Sequence, residues 1–400
     1  MKKKAHLIML ASAGLLLSTN SQASDSFTDA LVGGKANLDM RLRWENVDQD
    51  GISDNANALT LRTRLGYLTG DFSGFKAFAE ATNTSTLFGV DDYRVPKGPH
   101  SNSKLYPVIA DPTLTRVNRV WISYSGIKNT PIKVGRQRIK LDNDRFVGNV
   151  GWRQTEQVYD ALRVGNTSIK DTKLTYGYID RVYNIFDGEV SSDSHLFNAN
   201  YKGLSFGTLT GYAYLLDLND SSASGDSKTF GIRFAGKHAI NDGMSLLYEL
   251  EYADQSDYAD APGSVDASYT KFEFGAKFKG VTVKAAQETL GGDGTYGFQT
   301  VLATKHAFNG WADKFLVTPA DGLVDRYLTV ATKVKGVKLK AVYHDFQADE
   351  GGSNYGTELD LVAAKKFGDR YTLLVKYATY DADNYSVDTD KLWIQGSFKF

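Results

Sequence analysis

The chain has 400 residues, with 46 Lys and Arg against 47 Asp and Glu, and no Cys. That balance offers no basic surface for nucleic acid, so no nucleic-acid partner is expected, and disulfides and thiolate metal sites are excluded. With 38 Gly, 23 Tyr, 21 Phe and only 7 Pro, and no linker, composition shift or low-complexity block, the composition fits one exported all-β unit better than two or three soluble domains.

Residues 1–23 read as a signal peptide. Lys2, Lys3 and Lys4 precede an apolar run from Leu7 to Leu17, and Ser21-Gln22-Ala23 supplies small residues at the cleavage point. The run is too short to cross about 30 Å of hydrocarbon as a helix, and no later apolar stretch is long enough either. The mature chain, 24–400, is therefore expected beyond the inner membrane after Sec export.

From Lys35 onward the chain alternates. Ala36, Leu38, Met40, Leu42 and Trp44 oppose Asn37, Asp39, Arg41, Arg43 and Glu45, and after a polar loop Leu59, Leu61, Leu65 and Tyr67 oppose Thr60, Arg62 and Arg64. Period-2 alternation places one set on each face of a strand. Asp71-Phe72-Ser73-Gly74 makes a tight turn, and further short turns are expected near Gly126 to Pro131, Asn166 to Asp171, Lys202 to Leu204, Asn241 to Gly243, Gly280, Gly336 and Gly368 to Arg370. Counting the runs between them gives about 18 strands, joined alternately by short turns and longer loops. The last run, Asp390 to Phe400, puts Leu392, Ile394, Phe398 and Phe400 on one face and Lys391, Trp393, Gln395 and Lys399 on the other, and the chain stops on an aromatic.

An apolar face and a charged face on every strand, aromatics at strand ends and an even strand count predict a single antiparallel transmembrane β-barrel. Lipid is then the partner outside and water inside, and closure leaves no sheet edge unpaired in hydrocarbon. Closure also makes the first and last strands neighbours, so Lys391 and Lys399 extend the basic face that carries Arg41, Arg43, Arg62 and Arg64. Like charges so placed form a ladder able to pass an anion along the lumen; the alternative is an ordinary solvated face of mixed charge. Lys76, Arg181, Arg233, Lys338 and Lys340 are further inward candidates.

Two regions are too elaborate for simple connections. The first contains Gly135-Arg136-Gln137-Arg138-Ile139, Asp142-Asn143-Asp144-Arg145-Phe146, Gly151-Trp152-Arg153-Gln154-Thr155-Glu156-Gln157 and Asp160-Ala161-Leu162-Arg163. The second contains Gly291-Gly292-Asp293-Gly294, Leu302-Ala303-Thr304 and His306-Ala307-Phe308-Asn309-Gly310-Trp311. Both stretches resemble the alginate-export family of outer-membrane β-barrels. The resemblance implies an 18-stranded channel in a Gram-negative outer membrane, with outer loops folded inward and a lumen lined by Arg and Lys. It carries Arg136, Arg138, Arg145, Trp152, Arg153 and Arg163 into that lining. Guanidinium groups bind carboxylates at two points and Trp152 offers a face to a sugar ring, which suits small anionic solutes such as acidic sugars and their oligomers. Against this stands a simpler role, in which Arg145, Arg153, Glu156 and Asp160 pin the loop to the wall by ion pairs. Strict alternation from Ile132 and Val134 also sends Arg136 outward, unless a bulge at Gly135 shifts the phase.

The chain is shorter than the polysaccharide exporter of that family, so a porin is expected first, with export of an acidic exopolysaccharide or a non-conducting surface receptor as alternatives. Passive diffusion needs no cofactor. No His-Glu-x-x-His spacing or nucleophile with a base and acid is found, so no enzyme is expected. Asp48 to Gly51 and Gly291 to Gly294 read as turns, not as complete calcium loops.

Overall fold

The computed structural model describes residues 26–95, 104–219, 225–261, 263 and 265–400; the expected signal peptide lies outside them. The described chain opens with a short helix, α1 (Phe27–Val32), whose first turn is capped by Ser26 Oγ accepting the Asp29 N–H at 3.1 Å. It docks on the first short turn, with the Phe27 and Phe72 rings 5.8 Å apart and the Gly70 N–H on the Ala30 carbonyl at 2.8 Å.

The strands follow as β1 (Lys35–Gln49), β2 (Ala56–Leu68), β3 (Phe75–Asp92), β4 (Leu114–Tyr124), β5 (Ile132–Gln137) and β6 (Val158–Asn166). Next come β7 (Thr172–Tyr183), β8 (Glu189–Leu204), β9 (Gly207–Leu216), β10 (Ser227–Asn241), β11 (Met244–Ser256) and β12 (Asp266–Phe278). The last six are β13 (Val281–Leu290), β14 (Leu323–Val334), β15 (Val337–Gln347), β16 (Asn354–Phe367), β17 (Tyr371–Ala382) and β18 (Thr389–Lys399). Leu218–Asn219 resumes β9 after a break at Asp217, still pairing with β8. Each strand is antiparallel to its sequence neighbours, and β18 pairs with β1, closing an 18-stranded barrel. Leu38 and Phe400 exchange both backbone hydrogen bonds, at 3.0 and 2.8 Å, so the seam is paired to the final residue.

Side chains sort as alternation requires. Ile232, Phe274 and Ile394 stay half exposed although apolar, on the outer face, whereas Thr60, Arg62 and Arg64 are buried inside. Bulky rings pair at the short-turn ends of the strands: Phe75 with Tyr124 at 4.4 Å, Phe206 with Phe234 at 5.7 Å and Tyr371 with Phe398 at 5.2 Å. That is the girdle of a bilayer interface, where an amphipathic ring is best placed.

The short turns fall where expected except near Lys202. Strand β8 runs on to Leu204, and the ladder shifts register between Tyr201 and Leu204, so Lys202-Gly203 forms an irregularity inside the strand and the turn comes after it. Gly and Lys here signal a break in pairing, and a bulge is one such break. Gly135 has φ of 111°, and a Cβ there would sit 2.5 Å from the Val120 carbonyl oxygen. The ladder nevertheless passes through it without a shift, pairing Trp121 with Gly135 and Val120 with Arg136.

Because one face meets hydrocarbon, Ile394→Arg at the middle of β18 is expected to destabilise the barrel by about 2–4 kcal/mol, whereas Ser397→Arg on the inward face has a far smaller effect. Urea unfolding of the protein refolded in lipid vesicles measures both.

Candidate pore constriction

Strand pairing brings the predicted arginines together. Arg41 lies directly across from Arg62, Asp39 from Arg64 and Arg43 from Thr60, while across the seam Arg43 faces Gln395 and Asp39 faces Lys399. Side chains across a pair share a face, so Arg41, Arg43, Arg62, Arg64 and Lys399 lie on one inward face of the wall.

Two loops fold into the lumen against that wall, one between β5 and β6 and one between β13 and β14. They hold each other through backbone bonds, with Gly148 N–H on the Leu302 carbonyl at 2.9 Å and Thr304 N–H on the Asp144 carbonyl at 3.0 Å. Gly148 permits this approach, since a Cβ there would lie 2.2 Å from Thr304 Oγ1. Phe146 anchors the first loop among Tyr212, Tyr269 and Phe298, at centroid distances of 5.1, 5.3 and 5.9 Å.

Once the loops cover the wall, its charges need partners. Arg41 donates to the carbonyl oxygens of Gly151, Trp152 and Arg153, and Arg43 to the Trp152 carbonyl and Gln395 Oε1, both at 2.7 Å. Arg43 also lies 3.4 Å from Asp111 and stacks over the Trp152 ring at 4.1 Å. Arg62 binds Asp39. Glu156, on the first loop, receives both ends of the Arg138 guanidinium at 2.6 Å, the Asn118 and Asn149 amides at 2.6 Å, and Arg64 at 3.3 Å. Burial alone would raise the Glu156 pKa, but Arg64 and Arg138 outweigh it and hold the carboxyl well below the usual carboxylate range.

The same holds for the other loop arginines. Arg145 reaches Glu288 at 2.8 Å and Asn309 at 2.9 Å, and Arg153 bridges Glu45 at 3.0 Å and Asp313 at 2.9 Å. Asp313 also takes Lys391 at 3.0 Å. Trp152 is packed, stacked on His306 at 4.7 Å and edge-on to Trp393 at 5.7 Å. These residues therefore pin the loops to the wall, the simpler of the two roles read from the sequence.

Arg136 is a correction. It is paired with Val120 in the ladder, on the outward face, bound to Asp160 at 2.9 and 3.1 Å with its guanidinium 3.6 Å from the Tyr183 ring centroid. Strict alternation holds at Gly135 because the ladder there has no extra residue.

Among the described residues, inward cations without a carboxylate in ion-pair range lie at two heights: at the loops, where Arg41 is held by loop carbonyls and Lys376 by His306 Nε2 at 2.6 Å, and lower, toward the short turns. Arg163 faces Lys133 across β5 and β6, and the Lys133 ammonium sits 3.7 Å from the Trp121 ring centroid. Lys340 on β15 lies 5.3 Å from the Trp311 ring and borders a cavity of about 350 Å³ under the second loop, lined also by Lys271, Lys284, Phe308 and Tyr327. Lys338 faces Lys333 nearer the turn. Alternation signals Arg163, Lys338 and Lys340, and Lys133 as well once Ile132 and Val134 are read as outward; the acids Asp111, Asp313 and Glu288 give no local signal.

Glu156→Ala removes an acceptor from two arginines and two amides. Breaking a buried ion pair costs about 3–5 kcal/mol, and that loss is expected in the unfolding free energy of the variant, accompanied by noisier channel currents as the first loop loosens.

Comparison with known proteins agrees with this architecture. The family model for alginate export matches residues 37–285. No curated protein matches the chain. Among solved structures, OpdK of Pseudomonas aeruginosa, solved with vanillate, superposes with a TM-score of 0.73 at 15% identity, covering 92% of this chain and 99% of that one. OccAB2 of Acinetobacter baumannii gives 0.73 at 17% identity, covering 93% and 99%, and OccD3 (OpdP) of P. aeruginosa gives 0.69 at 16%, covering 93% and 92%. At such identities the likeness is one of fold.

Proposed function

Because the chain belongs to the alginate-export family and folds as an outer-membrane β-barrel, we propose that it is a porin through which small anionic solutes diffuse, acidic sugars and their oligomers among them. The observation that carries this reading is the separation of two sets of inward cations. Those at the height of the loops are tied down, most by Glu45, Asp111, Glu156, Glu288 and Asp313, Arg41 by loop carbonyls and Lys376 by His306 beneath the Trp311 ring, and they set the width of the passage. Those below, Lys133, Arg163, Lys338 and Lys340, keep their charge open to the lumen and lower the barrier for an anion.

Trp121 under Lys133 and Trp311 beside Lys340 put an aromatic face next to a cation at two places. A ring bearing a carboxylate can use both at once, by stacking on the indole and by ion pairing with the amine. OpdK, which shares the fold, was solved with vanillate, a small organic anion of the class proposed here. Diffusion down a gradient requires no cofactor. The filling of the upper lumen by two loops is the observation that favours a plugged receptor instead, and the family model for alginate export favours outward passage of an acidic polymer.

Planar-bilayer recording separates these. The wild type is expected to open anion-selective channels, and Arg163→Ala combined with Lys340→Ala to move the reversal potential toward cation selectivity. Arg136→Ala, on the outer face, is expected to leave selectivity unchanged. A barrel that inserts without conducting supports the receptor and overturns the porin reading.

A further inference from the structure

One wall carboxylate holds the backbone at the middle of the second inward loop, beside the side-chain contacts that Asn309 and Asp313 make with the wall. Glu358 Oε1, on β16, accepts the backbone N–H groups of both Trp311 and Ala312, the latter at 2.7 Å. The loop backbone lies directly on this group: Gly310 has φ of 83°, and a Cβ there would meet Glu358 Oε2 at 2.2 Å. That second oxygen has no donor. Neither oxygen of Asp360 has one, although Asp360 is fully buried and lies two residues on, on the same face of the strand.

Three orphan oxygens on two adjacent buried carboxyl groups have a simple resolution. Glu358 and Asp360 are neighbours on one face of β16, and two such carboxyl groups satisfy their orphan oxygens by sharing a proton, since an ionised carboxylate is acceptor-only. The surrounding charges are mixed. On β15, His344 Nε2 stands 3.6 Å from Asp360 Oδ2 while its Nδ1 is bound to Asp325 of β14 at 2.8 Å, and Lys340 also acts on Asp360. From β17, Lys376, one pair along from Asp360, acts on it diagonally, and Tyr380 lies directly across from Glu358. From the loop come Lys314, and His306 and Asp313, bonded to each other at 2.6 Å, with His306 Nε2 also 2.6 Å from Lys376 Nζ.

We infer that Glu358 and Asp360 hold one proton between them, and that this proton latches the second inward loop against the barrel wall. Its loss sets two anions side by side among buried groups, where like charges are most costly. Glu358 is then relieved by turning toward water, which releases the Trp311 and Ala312 amides and loosens that stretch of the loop. The passage widens as pH rises. Trp311 belongs to the same movement, because its ring covers the Lys376 ammonium at 3.6 Å and flanks Lys340.

This inference rests on the channel reading for its consequence, but the latch is measurable without current. Hydrogen exchange of the segment 306–313 in detergent, normalised at each pH to the denatured protein, is expected to show protection at neutral pH that falls at alkaline pH. Asp360→Asn replaces the shared proton with an amide N–H that donates to Glu358 at any pH, so its segment 306–313 stays protected throughout and its channel loses the alkaline rise in conductance seen in the wild type. Glu358→Ala is expected to leave that segment unprotected at every pH. Protection in the wild type that does not change with pH, or an alkaline loss that persists in Asp360→Asn, overturns the latch. Absence of any conductance, with the exchange behaving as described, overturns the porin reading and leaves the latch standing.

Discussion

A charge covered by a folded loop must meet an opposite charge or a set of hydrogen-bond partners, and this requirement shapes the inside of the barrel. The wall supplies cations at the height of the loops: Arg41, Arg43, Arg62 and Arg64 on adjoining strands and Lys391 across the seam. The loops and the wall beside them supply the answer in Glu156, Asp313, Glu45 and Asp111. Replacing any one partner leaves the other charged and buried. The loops are thus held in register by charge matching, and the aromatic contacts of Phe146 and Trp152 fill the space that this matching defines.

Much of the fold was legible because alternation in a lipid-exposed strand is enforced at every second residue. Ile394 and Phe398 against Gln395 and Lys399 already fix which face of the last strand meets hydrocarbon, and the pairing of Leu38 with Phe400 follows from closure. Inside the lumen the sequence was a poorer guide. Arg145 and Glu288 are 143 residues apart and Arg43 and Gln395 are 352 apart, so no local pattern distinguishes a cation that lines the passage from one that fastens a loop. Arg136 shows the opposite case. The arginine-rich motif suggested a lumen residue, while the plain alternation of Ile132, Val134 and Arg136 placed it correctly on the outer face.

Proline and glycine signals were reliable for the ends of strands and less so for interruptions within them. Lys202-Gly203 has the composition of a turn but sits inside β8, where the neighbouring strand continues past it and the ladder absorbs the irregularity. Gly135 has the backbone of a bulge residue yet keeps its register. In both, the pairing partners decide, and a residue's own preference only marks where the ladder is under constraint.

The seam between β1 and β18 has a bearing on how the molecule comes to be folded. Its two strands are the first and last of the barrel to be synthesised, and the second loop, which neutralises Lys391 on β18, is itself late in the chain. A topology in which the decisive contacts join distant segments folds slowly, because the entropy of closing the long intervening chain must be overcome before those contacts form. Until β18 arrives, β1 has a bare edge and Arg43 lacks Gln395. The half-assembled sheet is therefore a long-lived species with an open flank, and its survival depends on being shielded from other chains during that interval.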